Sequence, residues 1–465
     1  MSVEVESVEM LQTRISRLEA DIVHLSRHDH LTGLLTRAAF INVIDDALAS
    51  EPDVKSKGAL IAFSLRGIPR ISGTLGRHVS DYVISAIASR LNAINIPMSA
   101  KCRLDYSHYA VFIPNMVDPL QTLTVTKEVI ATLSQPVDWV DRPLLFQLGA
   151  GVALAKDNDG DASNLIQHAD LALKSAMGRG GPGYAFFNPN LAQGAKRRNL
   201  VLQALHAAVN EQSLDLNYQP YYDTETGALN GFEALMRMNS KTLGPVSPVE
   251  FIPVAEEANL IGKLGAWALM EACRTAANWP SNLTVSVNIS PEQFYTGTIV
   301  TDVHNALELS SFPAYRLEIE ITESTLLKDS EMVLSQLTAL RELGCSIVLD
   351  DFGTGYSSLS YLWKFPFSKL KIDRAFVQAL DTTGLARGML QSIIGLAKNL
   401  GLKVTAEGIE TRHHADVLKE FNCDYLQGFW LSKPIPATEL ANVILAEYAP
   451  QLRGRAVNSD ILLAG

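Results

Sequence analysis

The chain has 465 residues, enough for two or three domains of about 150 residues each. Hydrophobic residues at 47% against 19% charged, with 30 Gly and 20 Pro, exclude a disordered, low-complexity or collagen-like chain. Thirty-nine Lys and Arg against 50 Asp and Glu leave a net charge of −11 and a pI near 5.4, the wrong sign for a general binder of nucleic-acid polymer or anionic membrane.

Residues 1–28 carry Leu11, Ile15, Leu18, Ile22 and Leu25 at alternating steps of four and three without Gly or Pro, which predicts a helix. The stripe suits a parallel two-chain coil, hence a homodimer, and equally an amphipathic helix packed on its own domain. From 29 to 190 helical and extended patterns alternate: Ala38 to Ala49 helical, Gly58 to Leu65 extended, Val79 to Leu91 helical, Arg103 to Pro114 extended, Tyr184 to Phe187 extended. Such alternation predicts a sheet with helices on its faces. Asn188-Pro189-Asn190 and the polar run after it suggest a linker over 191–199.

From 200 to 448 eight strands are expected, at Leu214–Tyr218, Gly231–Arg237, Thr284–Asn288, Arg316–Ile321, Ser346–Asp351, Lys369–Ile372, Lys403–Ala406 and Tyr425–Gln427, nearly all separated by helical stretches. That is the pattern of a TIM-like (β/α)8 barrel, so the whole chain reads as α/β: helix, α/β sheet domain, barrel. Residues 449–465 form a tail without a pattern. Cys102, Cys273, Cys345 and Cys423 are too scattered for a zinc knuckle or a disulfide framework. With no signal segment and no apolar run of about 18 residues, a cytoplasmic protein without a membrane span is expected.

Glu233, Glu320, Asp350, Asp351 and Glu407, with Asn288 and Gln427, fall at the ends of the expected strands. Carboxylates converging on one barrel face repel one another unless cations neutralise them. An oxygen-only donor set favours Mg²⁺ or Mn²⁺ over zinc. From the residues alone, this describes a metal-dependent phosphate-ester hydrolase.

The run Glu233-Ala234-Leu235-Met236-Arg237 resembles the signature of EAL-domain cyclic-di-GMP phosphodiesterases. Tyr218-Gln219-Pro220, Asn288-Ile289-Ser290, Glu320-Ile321-Thr322-Glu323, Asp350-Asp351-Phe352-Gly353-Thr354-Gly355, Lys371-Ile372-Asp373, Glu407-Gly408-Ile409-Glu410 and Gln427-Gly428-Phe429 match its further motifs. The resemblance implies that Glu233, Asn288, Glu320, Asp350, Asp351 and Glu407 bind two Mg²⁺ or Mn²⁺ ions, with Asp350 shared between them. It implies that Lys371, Glu407 and Asp350 are catalytic, with Lys371 contacting the attacking water. Arg237, Gln219 and Gln427 would contact substrate, and Glu323 would anchor the loop after Asp351. The implied reaction opens cyclic di-GMP to linear pGpG. A receptor that binds cyclic di-GMP without turnover is the alternative.

Residues 29–188 resemble the GGDEF diguanylate cyclases through Asp29-His30-Leu31-Thr32-Gly33-Leu34, Thr74-Leu75-Gly76 and Ala169-Asp170-Leu171-Ala172-Leu173. The signature loop reads Asp105-Tyr106-Ser107-His108-Tyr109, differing at all five positions. Ser64 stands in place of the other metal-binding aspartate, Pro69 and Met177 in place of lysines, and Ile96 and Ser99 in place of the product-inhibition motif; Asp81 matches a guanine-reading aspartate. These changes imply a domain without cyclase activity, kept to regulate, to dimerise or to bind a protein partner.

Overall fold

In a computed structural model of the chain, the residues described are 10–446 except 11, 16, 19–21, 23, 51–57, 97–98, 117, 141, 158–160, 179–182, 212, 327–329, 354–358 and 383. Two compact units divide the chain, Met1–Arg197 and Arg198–Gly465. Among the described residues, no helix is long and apolar enough to cross a membrane.

The described positions from 10 to 27 are helical, and Ile15, Leu18, Ile22 and Leu25 are exposed; Leu11 lies outside the described residues. In the first unit β1 (Gly58–Arg66), β2 (Ala100–Arg103), β3 (His108–Pro114), β6 (Gln147–Leu154) and β7 (Tyr184–Phe186) form a sheet in the order β2-β3-β1-β6-β7. A separate hairpin joins β4 (Val137–Trp139) to β5 (Arg142–Leu144). The apolar run of β1 makes it the central strand, antiparallel to both neighbours, with eight of its nine residues buried.

Alternate side chains of the sheet pack on different helices. Ile61, Phe63 and Val111 meet Val83, Ile84, Ile87 and Val129 of helices Arg77–Ala93 and Pro119–Leu133. Leu60, Ala62 and Phe112 meet Phe40, Ile44 and Leu165 of helices Arg37–Ser50 and Ala162–Gly178. The second contact is very close at Gly151, where a Cβ would stand 2.1 Å from the Ala169 carbonyl oxygen. The expected extended run Arg103–Pro114 is two strands, because Asp105 accepts hydrogen bonds from the Ser107 and His108 amides and folds the chain back.

The expected linker, 191–199, lies inside a 23-residue helix, Pro189–Glu211. Pro189 suits a first helical turn, and the Leu, Ala, Gln, Lys and Arg residues that follow are strong helix formers. Polarity marked the surface there, not the absence of structure.

In the second unit the strands β8 (Leu214–Asp223), β9 (Leu229–Ser240), β11 (Thr284–Asn288), β12 (Leu317–Thr322), β13 (Ser346–Phe352), β14 (Lys369–Ile372), β15 (Lys403–Ala406) and β16 (Tyr425–Leu426) close into an eight-stranded barrel. Short β10 (Gly244–Val246) and β17 (Ile435–Pro436) add at its rim. Seven barrel strands are parallel, and β8 runs antiparallel to both β9 and β16. A uniform (β/α)8 repeat does not hold at this first pair. Only a tight turn separates β8 from β9, closed by Asp223 accepting from Glu225 and Thr226, and a parallel pair needs a crossover of a dozen residues.

Candidate active site

Strand alternation and register bring the acidic residues together. Residues i and i+2 of a strand share a face, so an inward Glu318 in β12 places Glu320 inward as well. Register pairs Gln219 with Glu233, Ser286 with Glu233, and Asn288 with Glu320. Asp350 sits near the end of β13, Lys371 in β14, and Glu407 just after β15. All therefore lie toward the C-terminal rim of the parallel strands, where barrel enzymes carry their chemistry.

The Lys371 ammonium stands among four carboxylates: Glu407 at 2.6 Å, Glu320 at 2.8 Å, Glu233 at 3.3 Å and Asp350 at 3.5 Å. Glu233 also accepts hydrogen bonds from the Asn288 amide and the Gln427 amide, each at 2.7 Å. Among the described residues, no group of three or more His, Cys, Asp or Glu is already set to hold a metal ion.

Burial pushes the Asp350 carboxyl up to about 6 and the Glu407 carboxyl up to about 8, with Lys371 only partly offsetting it. Glu320 is pushed well up by burial and by the Glu233 and Asp350 charges, despite Lys371. Burial acts on Glu233 in the same direction, yet Lys371 and the two amide donors hold it below its ordinary value. Desolvation opposes the charge on Lys371, but its four acids hold the ammonium well above the ordinary lysine value. One cation cannot neutralise this cluster, so protons remain on it.

Asp351 adjoins the Lys371 cluster, whose ammonium and Glu233 charge both act on its carboxyl. It has a left-handed backbone, φ 54°, where the register between β13 and β14 breaks, and its amide donates to Asp350 at 2.9 Å. Burial and the neighbouring Asp373 raise its carboxyl. Gln219 is buried, donating to the Ser432 carbonyl at 3.2 Å and accepting from Gln427 at 3.4 Å. The Gln427 side-chain oxygen is buried without a protein partner. Arg237, four residues along β9 from Glu233, is half-buried, and one guanidinium nitrogen donates to the Met236 carbonyl. Glu323 is buried in the 3-10 turn Glu323–Leu326; the loop it was expected to anchor, 354–358, lies outside the described residues.

A second buried pair, Glu318 with Lys369, was not singled out from the sequence. Its signal was present in Glu318-Ile319-Glu320 and Lys369-Leu370-Lys371, where polar residues two apart share the inner face of an otherwise apolar strand.

In the first unit the expected loop is closed on itself. His108 Nδ1 lies 2.7 Å from Asp105 Oδ1, Tyr106 donates to Ser80 at 2.8 Å, and Arg103 clamps Asp29 at 3.0 Å. Ser64 pairs in register with His108, and a cleft of about 410 Å³ beside them is lined also by Arg37, Asp170 and Lys174. Asp81 lies 3.9 Å from Arg77 on its own helix.

The EAL domain family matches residues 202–434, and the diguanylate cyclase GGDEF domain family matches residues 26–181. The bifunctional diguanylate cyclase/cyclic di-GMP phosphodiesterase MucR of Pseudomonas aeruginosa is 32% identical over 93% of this chain and 63% of its own length. A solved structure described as the PaMucR phosphodiesterase in complex with c-di-GMP is 39% identical, with a TM-score of 0.50, and covers 52% of this chain and 99% of its own. The S helix-GGDEF-EAL structure of Vibrio cholerae LapD, at 18% identity, shares the fold over 90% of this chain and 99% of its own, with a TM-score of 0.56. The chain spans between half and two thirds of the length of the first curated relatives it matches. With an EAL match over half its residues and a GGDEF match ahead of it, the chain belongs to the family of tandem GGDEF-EAL proteins.

Proposed function

We propose that the barrel hydrolyses cyclic di-GMP to linear pGpG with two divalent ions, Mg²⁺ or Mn²⁺, and that the first unit is a non-catalytic regulatory or dimerisation module. The observation that carries the reading is the ring of Glu233, Glu320, Asp350 and Glu407 around Lys371, with more acid than one ammonium can neutralise. The donors fit the ions: carboxylates with one amide, Asn288, are hard oxygen ligands. Asp351 belongs to the same proposed set, which Glu233, Asn288, Glu320, Asp350 and Glu407 complete.

When bound, a pair of such ions polarises a phosphodiester and activates water for in-line attack. The remaining work falls to side chains. Lys371 holds the attacking water through an Nζ–H donor, and its place is fixed by the surrounding carboxylates. Arg237 faces a substrate phosphate with a planar guanidinium suited to two parallel hydrogen bonds. Gln219 and Gln427 bound the site from β8 and from the turn after β16. As water adds to one phosphorus and gives up a proton, the bond to a ribose 3′ oxygen breaks and that oxygen takes up a proton as a 3′ hydroxyl, leaving a 5′ phosphate on pGpG.

For the first unit, Ser64, Ser107 and His108 offer no pair of carboxylates for metal at the expected loop, and Asp105 is engaged by His108. Met177 packs against β6, so that a Cβ at Gly149 would stand 2.2 Å from its sulfur. Incubation with GTP and Mg²⁺ is expected to yield no cyclic di-GMP.

The deciding experiment is chromatography of the purified chain with cyclic di-GMP and Mg²⁺ or Mn²⁺, beside EDTA and Glu233→Ala controls. Metal-dependent pGpG, abolished by both controls, is expected. Tight binding without product would replace the reading with that of a receptor.

A further inference from the structure

We infer that Glu318 and Lys369, one layer below the acidic cluster, are positioning residues that set Glu320 and Lys371 for metal binding and turnover. This rests on the phosphodiesterase reading above.

Both residues are buried, with 5% and 6% of their surface exposed. Lys369 Nζ donates to the two Glu318 oxygens at 2.6 and 2.7 Å and reaches the Tyr221 hydroxyl at 3.5 Å. The rings of Tyr221 and Tyr425 lie 4.6 and 4.8 Å from the ammonium. Ser286 donates its hydroxyl to Glu318 at 2.8 Å, and Thr284 shares a hydrogen bond with the Tyr221 hydroxyl. Space for that hydroxyl exists because residue 231 is glycine: a Cβ there would stand 2.6 Å from the Tyr221 oxygen. The layer therefore draws on β8, β9, β11, β12, β14 and β16.

Its placement above the barrel floor follows from strand geometry. Two residues further along the same strands come Glu320 and Lys371, on the same inner face and 2.8 Å apart. Two Glu–Lys pairs are thus stacked on β12 and β14, which β13 separates. Interior layers of such barrels are ordinarily filled by branched apolar side chains. A buried ion pair gains little over apolar residues of equal volume, so stability alone does not account for it. A two-oxygen contact braced by Ser286 resists sliding of one strand past the other, which an apolar layer does not. It holds the upper glutamate and lysine at fixed height without placing net charge beneath the cluster.

The test is the full chain carrying Glu318→Leu and Lys369→Met together, read by thermal melting, by Mn²⁺ titration calorimetry without substrate, and by kcat and KM for cyclic di-GMP. The double variant is expected to fold with a Tm at or above that of the parent, since no charge is left unpaired. Its Mn²⁺ Kd rises and its kcat falls, each by about 10–100-fold, the usual effect of losing a partner behind the ligands, while KM moves little. Mn²⁺ affinity and kcat both within twofold of the parent would overturn the inference. Should the double variant not fold, Ser286→Ala decides: severalfold weaker Mn²⁺ binding supports positioning, and unchanged binding overturns it. If the unsubstituted chain binds Mn²⁺ but hydrolyses nothing, the phosphodiesterase reading fails and the titration still judges the pair.

Discussion

Lys371 holds together a cluster that would otherwise repel itself, and its removal separates two roles that are easily confused. A Lys371→Met variant loses the ammonium shared by Glu233, Glu320, Asp350 and Glu407. Without that competing cation, Mn²⁺ binding is expected to be retained or tightened. kcat is expected to fall by about 10²-fold or more, because the attacking water loses the donor that holds it in place. Calorimetry and turnover on the same sample check this, and loss of metal binding along with activity would refute it. The retained protons make a second prediction. Asp350 at about 6 and Glu407 at about 8 both lie above their ordinary values, so the folded state binds more protons than the unfolded chain between them. Their stabilising contribution is whole below the unfolded values and is lost as pH rises through the folded ones. The Tm of EDTA-treated protein is therefore expected to drop from pH 5 to pH 8, less steeply in Glu407→Gln. Divalent metal should reverse the drop and bind more tightly at the higher pH, because each ligand must shed its proton first. A Tm rising over that interval in both proteins would show that the cluster holds no such protons.

At the scale of elements, close approach is as informative as charge. Gly151 of β6 lies against helix Ala162–Gly178, and an alanine there would drive its Cβ to within 2.1 Å of the Ala169 carbonyl oxygen and 2.2 Å of the Leu173 amide. Both are backbone atoms, so the helix itself must move. Gly151→Ala is expected to destabilise the first unit by about 1–3 kcal/mol or more, the scale of overpacking. Urea unfolding followed in the first unit reads it, and an unchanged midpoint would mean that the helix can shift freely. Legibility from sequence followed the same division. Strands β9, β11, β12, β13, β14 and β15 were readable because apolar runs end in Glu, Asn, Asp or Lys, and those ends gather at the candidate site. The polarity of Lys196, Arg197 and Arg198 marks the place where the two units divide, but not its conformation, since an exposed helix face and an irregular linker share a composition. The antiparallel β8 was hidden for another reason: alternation reports which face is buried, not strand direction. Glu318 and Lys369 escaped because each sits beside a more conspicuous residue of its own type.

For the whole molecule, the exposed stripe on the N-terminal helix sets the sharpest expectation. Ile15, Leu18, Ile22 and Leu25 expose 53 to 65% of their surface at steps of three and four, and Met10 exposes 72%. Four such side chains on one helix face leave apolar surface in water that a second copy of the same stripe would cover, as two-stranded coils do. A homodimer joined there fits the regulatory role proposed for the first unit, because the register of two helices is a property that only a pair can have. Light scattering of the full chain at micromolar concentration is expected to give twice the chain mass of 50.7 kDa. Leu18→Glu with Ile22→Glu would set like charges along the seam and is expected to give the single-chain mass. Both substitutions lie in the first unit, outside the barrel's own residues, so turnover in the dissociated chain reports on what the pairing contributes. A drop in kcat with unchanged Mn²⁺ affinity would assign the helix to control of the second unit. Equal masses before and after substitution would remove the stripe as the joining surface.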